Sequence, residues 1–172
     1  MSALRCYRGL QNTLKRSLIR RTTVISAFTD YIWAAGFLDG EGSFYMDKRL
    51  TRGKYLTVRS HVMANQAVYA APIEKLHGLF GGTYRERKAR TSTGKRVYEW
   101  QVTANEDVAN TLTLVLPFLV VKKPLAELQL ELTHHQGNRF GRGGNPHAEE
   151  RLRIYDRYAT LRAEYHAPGS SE

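Results

Sequence analysis

Apolar and polar positions alternate with period two in short central stretches and recur with a helical period elsewhere. The order predicts helix, two strands, helix, two strands, helix, then further helices. The first helix, capped by Thr29 or Asp30, runs to about Leu38. Residues 43–49 then alternate, with Phe44, Met46 and Lys48 on one side and Tyr45, Asp47 and Arg49 on the other. After a turn at Thr51 to Lys54, residues 55–62 set Leu56, Val58, Ser60 and Val62 against Tyr55, Thr57, Arg59 and His61. Pro72 opens a helix whose stripe is Ile73, Leu76, Leu79 and Phe80, and Gly81-Gly82 ends it. A second strand pair follows at 83–88 and 96–102 around the polar loop 90–95. Tyr98, Trp100 and Val102 oppose Val97, Glu99 and Gln101. Asn105 is the expected cap of a helix to about 116 that Pro117 closes. Another helix spans about 124–136, with Leu125, Leu128 and Leu132 inward. A glycine-rich linker from Gly137 to Asn145 precedes an amphipathic helix from Pro146 to about His166, with Leu152, Tyr155, Tyr158 and Leu161 as its stripe.

The run from Trp33 to Phe44 (WAAGFLDGEGSF) carries the strongest chemical signal. It ends an apolar, small-residue helix in two acids, Asp39 and Glu41, interleaved with Gly40 and Gly42. Carboxylates at a helix C-terminus oppose the dipole, which favours cations there. A divalent metal would justify them, since one or two carboxylates suit Mg²⁺ or Ca²⁺. The alternative is a plain helix stop, with the glycines supplying permissive backbone and the acids solvated.

Charge narrows the class of partner. The formal net charge is +10 and the pI about 9.9, which points to an anionic partner such as nucleic acid. The excess sits in two places. Residues 1–29 carry six bases and no acid, and residues 43–103 carry twelve bases and four acids. The leading arm reads as a transit peptide, a basic nucleic-acid tail, or upstream sequence from a mis-assigned start codon. Cys6 is the lone cysteine, which excludes a disulfide within the chain and a cysteine-based zinc site. No apolar run approaches the length of a membrane span.

The polar face of the expected sheet gathers Tyr45, Asp47, Arg49, Tyr55, Thr57, Arg59, His61, Arg85, Arg87, Glu99 and Gln101. Arginine can bind guanine edges or phosphates, glutamine can read adenine, and carboxylates can accept from cytosine N4. A twisted antiparallel sheet rich in arginine and tyrosine fits a groove reader better than a merely solvated face.

Motif and element order together resemble the LAGLIDADG homing endonucleases. The segment Ala34-Ala35-Gly36-Phe37-Leu38-Asp39-Gly40-Glu41-Gly42 is similar to the family signature, and Leu116 to Lys123 (LPFLVVKK) resembles a segment of the single-motif group I intron enzymes. The resemblance covers about residues 30–136. It implies an α+β fold with an αββαββα core, a four-stranded antiparallel DNA-binding sheet and additional C-terminal helices. The implied division is a basic extension at 1–28, the endonuclease domain at 29–136, and a linker with a C-terminal helix at 137–172.

The roles that follow are those the resemblance implies. Glu41 and the Gly40 carbonyl match the ligands of a catalytic divalent ion, Mg²⁺ with Mn²⁺ or Ca²⁺ as substitutes. Asp39 matches a structural acid, and Lys122 matches a lysine near the scissile phosphate. Asn65 is the expected water-positioning residue, with Ala64 and Gln66 as alternatives. Ala34, Ala35 and Gly36 match the seam between two motif helices. One motif per chain then implies a homodimer acting on a long, roughly palindromic double-stranded DNA, leaving 3′ overhangs. Ala34 departs from the signature's first leucine, and Glu41 is longer than its aspartate. The alternatives on the same fold are an intron RNA maturase and a non-catalytic DNA-binding regulator. The expected location is intracellular, at DNA, in an organelle or a bacterial cytoplasm.

Overall fold

The computed structural model describes residues 28–51, 55–88, 96–135 and 147–166. The leading arm, the 52–54 turn, the 90–95 loop and the glycine-rich linker lie outside these residues. Helix α1 (residues 28–41) leads into β1 (Gly42–Thr51) and β2 (Tyr55–Ala67). Helix α2 (Ala71–Phe80), β3 (Thr83–Lys88) and β4 (Arg96–Val102) follow. Then come α3 (Asn105–Val115), a 3₁₀ turn at Leu116–Phe118, α4 (Lys123–His134) and α5 (Ala148–His166). The four strands form one antiparallel sheet in the order β1-β2-β4-β3.

Register decides which face each side chain serves. Phe44 pairs with Val62, and Val62 with Val102, so all three point into the core. Ala34, Ala35 and Leu38 of α1, Ile73 and Leu76 of α2, and Val108 and Leu112 of α3 close over that face. Trp100 is completely buried, and its indole N–H donates to the Gly81 carbonyl at 2.7 Å. The indole would otherwise lose a hydrogen bond on burial.

The structure departs from the sequence pattern at several points. Helix α1 does not stop at Leu38; it continues through Glu41, and β1 begins at once. Neither Gly40 nor Gly42 takes a positive φ, so no glycine turn separates them. Gly42 is required for a different reason. A Cβ there would lie 2.5 Å from the Leu38 carbonyl oxygen and 2.8 Å from its Cα. Gly81 (φ 66°) and Gly82 (φ 82°) do adopt the left-handed region, as expected of a helix stop. Thr29 and Asp30 are already helical rather than capping, and Asp30 pairs with Lys75 at 2.8 Å. Asn105 is also not a cap; its amide donates to the Thr133 carbonyl at 3.1 Å and ties α3 to α4. Strand β2 runs to Ala67 rather than ending near residue 62, because Val62 to Ala67 pair with β4 and the last three of them continue past the end of the β1 ladder at Ala64.

Helix α5 is anchored by polar groups that the apolar stripe did not reveal. The buried Arg151 guanidinium donates to the carbonyls of Leu132, His135 and Val58. Burial lowers its pKa from the usual value. The Tyr158 hydroxyl donates to the Phe44 carbonyl at 2.9 Å. No described helix is long and apolar enough to cross a membrane.

Gly42→Ala is expected to destabilise the fold by about 1–3 kcal/mol, because the added methyl meets backbone rather than a movable side-chain end. Gly40→Ala, where a Cβ has open space, should change stability by less than about 1 kcal/mol. Urea denaturation of both variants checks the contrast.

Candidate active site and nucleic-acid interface

The two acids of the α1 terminus have separate fates. The Asp39 carboxylate turns back onto the loop after the 3₁₀ turn. Its Oδ2 accepts the N–H groups of Val120 (2.7 Å) and Val121 (3.2 Å), and its Oδ1 accepts that of Lys122 (2.8 Å). Glu41, the last residue of α1, is exposed. The Lys122 ammonium completes the arrangement in the opposite sense. It donates to the carbonyls of Leu38 (3.2 Å), Gly40 (3.2 Å) and Gly42 (2.7 Å). A cation therefore satisfies carbonyls that a helix terminus leaves without partners. Desolvation lowers the Lys122 pKa, opposed by the charges of Asp39 and Glu41.

The outer end of α5 reaches the same loop. The Tyr165 hydroxyl donates to the Val121 carbonyl at 2.7 Å, although the two residues are 44 positions apart in the chain. Neither Tyr165 nor the buried Gln129 was singled out by sequence. The Gln129 amide donates to the carbonyls of Tyr45 (2.9 Å) and His61 (3.1 Å), fixing α4 under the β1–β2 pair. A lone Gln inside an apolar helical stripe was the available signal.

The three alternatives for a water-positioning residue separate. Ala64 is fully buried and faces the core. Asn65 is exposed and stands in register with Glu99, which stands opposite Arg85. Gln66 lies on the opposite pleat, half-buried, and its side-chain oxygen accepts the Ala67 N–H at 3.2 Å. The expected seam also needs correction. Ala34 and Ala35 are fully buried within the chain's own core, so neither can meet a second helix. Gly36 is exposed, as is Ile32 one turn before it.

On the open sheet face, Arg49, Arg59, Arg85 and Arg87 are exposed. The Tyr45 and His61 rings meet at a 32° tilt with centres 6.1 Å apart, and the Arg162 guanidinium lies 5.0 Å from the Tyr45 ring centre. Gln101 is half-buried; the Tyr55 side chain lies outside the described residues. Asp47 and Glu99 differ from the expectation of carboxylates open to a base edge, since both are buried. Asp47 bonds His61 Nε2 through Oδ1 at 2.8 Å and Arg49 Nε through Oδ2. Glu99 bonds Arg87. Burial alone would raise the Asp47 carboxyl, but its hydrogen bonds from Arg49 and His61 and their charges prevail, and the net shift is downward.

The described residues hold no cluster of three or more His, Cys, Asp or Glu side chains able to enclose a metal ion. What the α1 terminus presents is one exposed carboxylate beside the Gly40 carbonyl, which keeps a second lone pair beyond its 3.2 Å bond from Lys122. That hard oxygen set fits Mg²⁺ or Ca²⁺ if phosphate and water oxygens complete it.

This fold is shared with solved LAGLIDADG homing endonucleases. The chain is similar to the homing endonuclease I-CvuI in complex with a DNA target (TM-score 0.64, 23% identity), over 84% of this chain and 88% of that one. It is similar to the group I intron-encoded homing endonuclease I-CeuI complexed with DNA (TM-score 0.51, 16% identity), over 74% of this chain and 70% of that one. It also matches the LAGLIDADG homing endonuclease I-SmaMI bound to cleaved DNA (TM-score 0.53, 19% identity), over 77% of this chain but 42% of that one. No protein-family model and no curated protein matches the sequence. The α+β architecture expected from the motif is therefore the one observed: an αββαββα core with added C-terminal helices.

Asp39→Ala should cost about 2 kcal/mol, because three loop N–H groups lose a charged acceptor; chemical denaturation measures it. The Asp47 shift makes a separate prediction. A carboxyl whose folded pKa is lowered contributes stability above its unfolded pKa, about 3.9. That contribution is lost as pH falls through the folded value. Wild type and Asp47→Asn should differ in urea midpoint at pH 7 and converge progressively below about pH 4.

Proposed function

We propose that this chain is a site-specific, divalent-metal-dependent DNA endonuclease that acts as a pair of identical subunits. The observation that carries the reading is the exposed Glu41 at the end of a helix locked by Asp39 and Lys122, beside a sheet face lined with arginines. The likeness to homing endonucleases solved with DNA supports it. A net charge of +10, with the excess in the leading segment and in the sheet segment, supports an anionic, extended ligand.

Glu41 and the Gly40 carbonyl are the residues that would hold the ion, Mg²⁺ by preference. When bound, it would supply charge neutralisation at the scissile phosphate and activation of water. The chain's own residues do the rest. Asp39 and Lys122 hold the helix end so that Glu41 is presented at a fixed height above the sheet. The Lys122 ammonium adds positive charge close to where a phosphate would lie, which favours the charge that develops during hydrolysis. Asn65, polar and exposed, is our choice for orienting water.

The same geometry supports a pairing of subunits. One Glu41 and one carbonyl make half a site, and α1 leaves Ile32 and Gly36 uncovered along one side. The chain spans most of I-CvuI but less than half of I-SmaMI, consistent with a unit used either singly or as half of a longer chain. A symmetric pair would place two Glu41 residues together and read a roughly palindromic target. Cutting both strands across the minor groove would leave 3′ overhangs.

Glu41→Gln is expected to reduce Mg²⁺-dependent cleavage of a cognate duplex by at least about a hundredfold, while binding measured without divalent ion stays within about twofold. Cleavage at the wild-type rate would sink the assignment. Chelation of divalent ions should stop wild-type cleavage without releasing the DNA.

A further inference from the structure

The four arginines of the open sheet face are not equivalent, and the difference is built from two buried carboxylates. Asp47 and Glu99 are 9% and 5% exposed. Each faces one arginine directly across a ladder, Arg59 for Asp47 and Arg85 for Glu99. Each nevertheless bonds a different one, Arg49 two positions along β1 and Arg87 diagonally across β3–β4. Among the described residues, Arg59 and Arg85 have no carboxylate partner. The pattern therefore occurs twice, once in each strand pair.

Resting on the DNA-binding reading above, we propose that the tethered arginines, Arg49 and Arg87, discriminate between bases, whereas the untethered Arg59 and Arg85 hold phosphates. Asp47 and Glu99 are then positioning residues for specificity and do not touch the DNA. Bidentate recognition of guanine needs a guanidinium fork of fixed direction. A free arginine loses most of its rotamer freedom on making such a contact, and a bond formed before binding removes part of that loss. A buried negative charge beneath a guanidinium also cancels much of its attraction for a phosphate while leaving its outer N–H groups free for a neutral base edge. Arg49 is held through Nε, which leaves both of its Nη groups open, and Arg87 through Nη2, which leaves Nε and Nη1; their side chains stay 58% and 62% exposed despite the tethers. An untethered arginine keeps its full charge and its reach, which suits a contact whose position varies with the backbone.

The test uses the full chain and a duplex that it selects from a randomised library, with binding measured in the absence of divalent ion. Every single-base-pair variant of that duplex and a random-sequence duplex are compared. Glu99→Gln removes the charge, and Arg87→Lys keeps the charge but loses the fork. Both should lower the preference for the selected base by about tenfold at one or two adjacent pairs in each half-site, with affinity for random duplex within about twofold of wild type. Arg59→Ala should weaken selected and random duplexes equally and reduce the slope of log affinity against log salt by about two, one for each subunit of the pair. Thermal melting identifies any variant that fails to fold, and Arg87→Lys leaves the buried carboxylate in place. The inference is overturned if Glu99→Gln and Arg87→Lys leave base preference intact or weaken every sequence alike, or if Arg59→Ala changes base preference. Failure of the wild type to select any duplex would instead overturn the DNA-binding reading itself.

Discussion

The structure depends on making a helix end tolerate two negative side chains. Helix carbonyls already concentrate partial negative charge at the α1 C-terminus, and Asp39 and Glu41 add to it. A two-way clamp resolves the conflict. The Asp39 carboxylate takes three N–H groups of the 120–122 loop, and the Lys122 ammonium gives its three donors to carbonyls of residues 38, 40 and 42. Acid and base thus exchange main-chain partners between the same two segments. With the end stabilised, the helix continues through Gly40, and β1 starts without a turn. Glu41 is left with its carboxylate uncommitted by this clamp, at the junction of helix and sheet.

The remaining elements hold this junction from behind. Gln129 and Tyr158 bond main-chain carbonyls of β1 and β2 from the helical side, and Tyr165 reaches the loop that carries Lys122. Because these contacts come from α4 and α5, the C-terminal helices are part of the site's support and not an appendage. The opposite sheet face is left open, where buried carboxylates divide the exposed arginines into tethered and untethered ones. One layer therefore supplies rigidity and the other supplies charge.

Much of this was legible in the residues. Period-two alternation placed Phe44, Val58 and Val62 inward and Tyr45, Arg59 and His61 outward, because a strand has only two faces and one must be buried. Gly81-Gly82 marked a helix stop because both need positive φ. The separate roles of Asp39 and Glu41 came from the motif's resemblance, and the clamp supplies a physical reason for them. Less was legible about Ala34 and Ala35. Small residues permit close approach by any neighbour, and the pattern cannot say whether that neighbour is another chain or this chain's own core. The buried Arg151, hidden among solvated charges of α5, was illegible for a related reason: the carbonyls it serves come from distant strands and helix ends.

By itself, then, the sequence determined the order and type of the elements, the polarity of each sheet face, the concentration of positive charge and the placement of two acids at one helix end. These follow from local periodicity, from φ preferences and from counting charges. Only the tertiary structure decided which acid is held and which is exposed, why Gly42 must be glycine, how far β2 extends, and which arginines are tethered. Each of those outcomes is set by a partner far along the chain: Lys122 for α1, β4 for the end of β2, Glu99 for Arg87. A local pattern carries the type of a side chain, but not the identity of the group that will satisfy it.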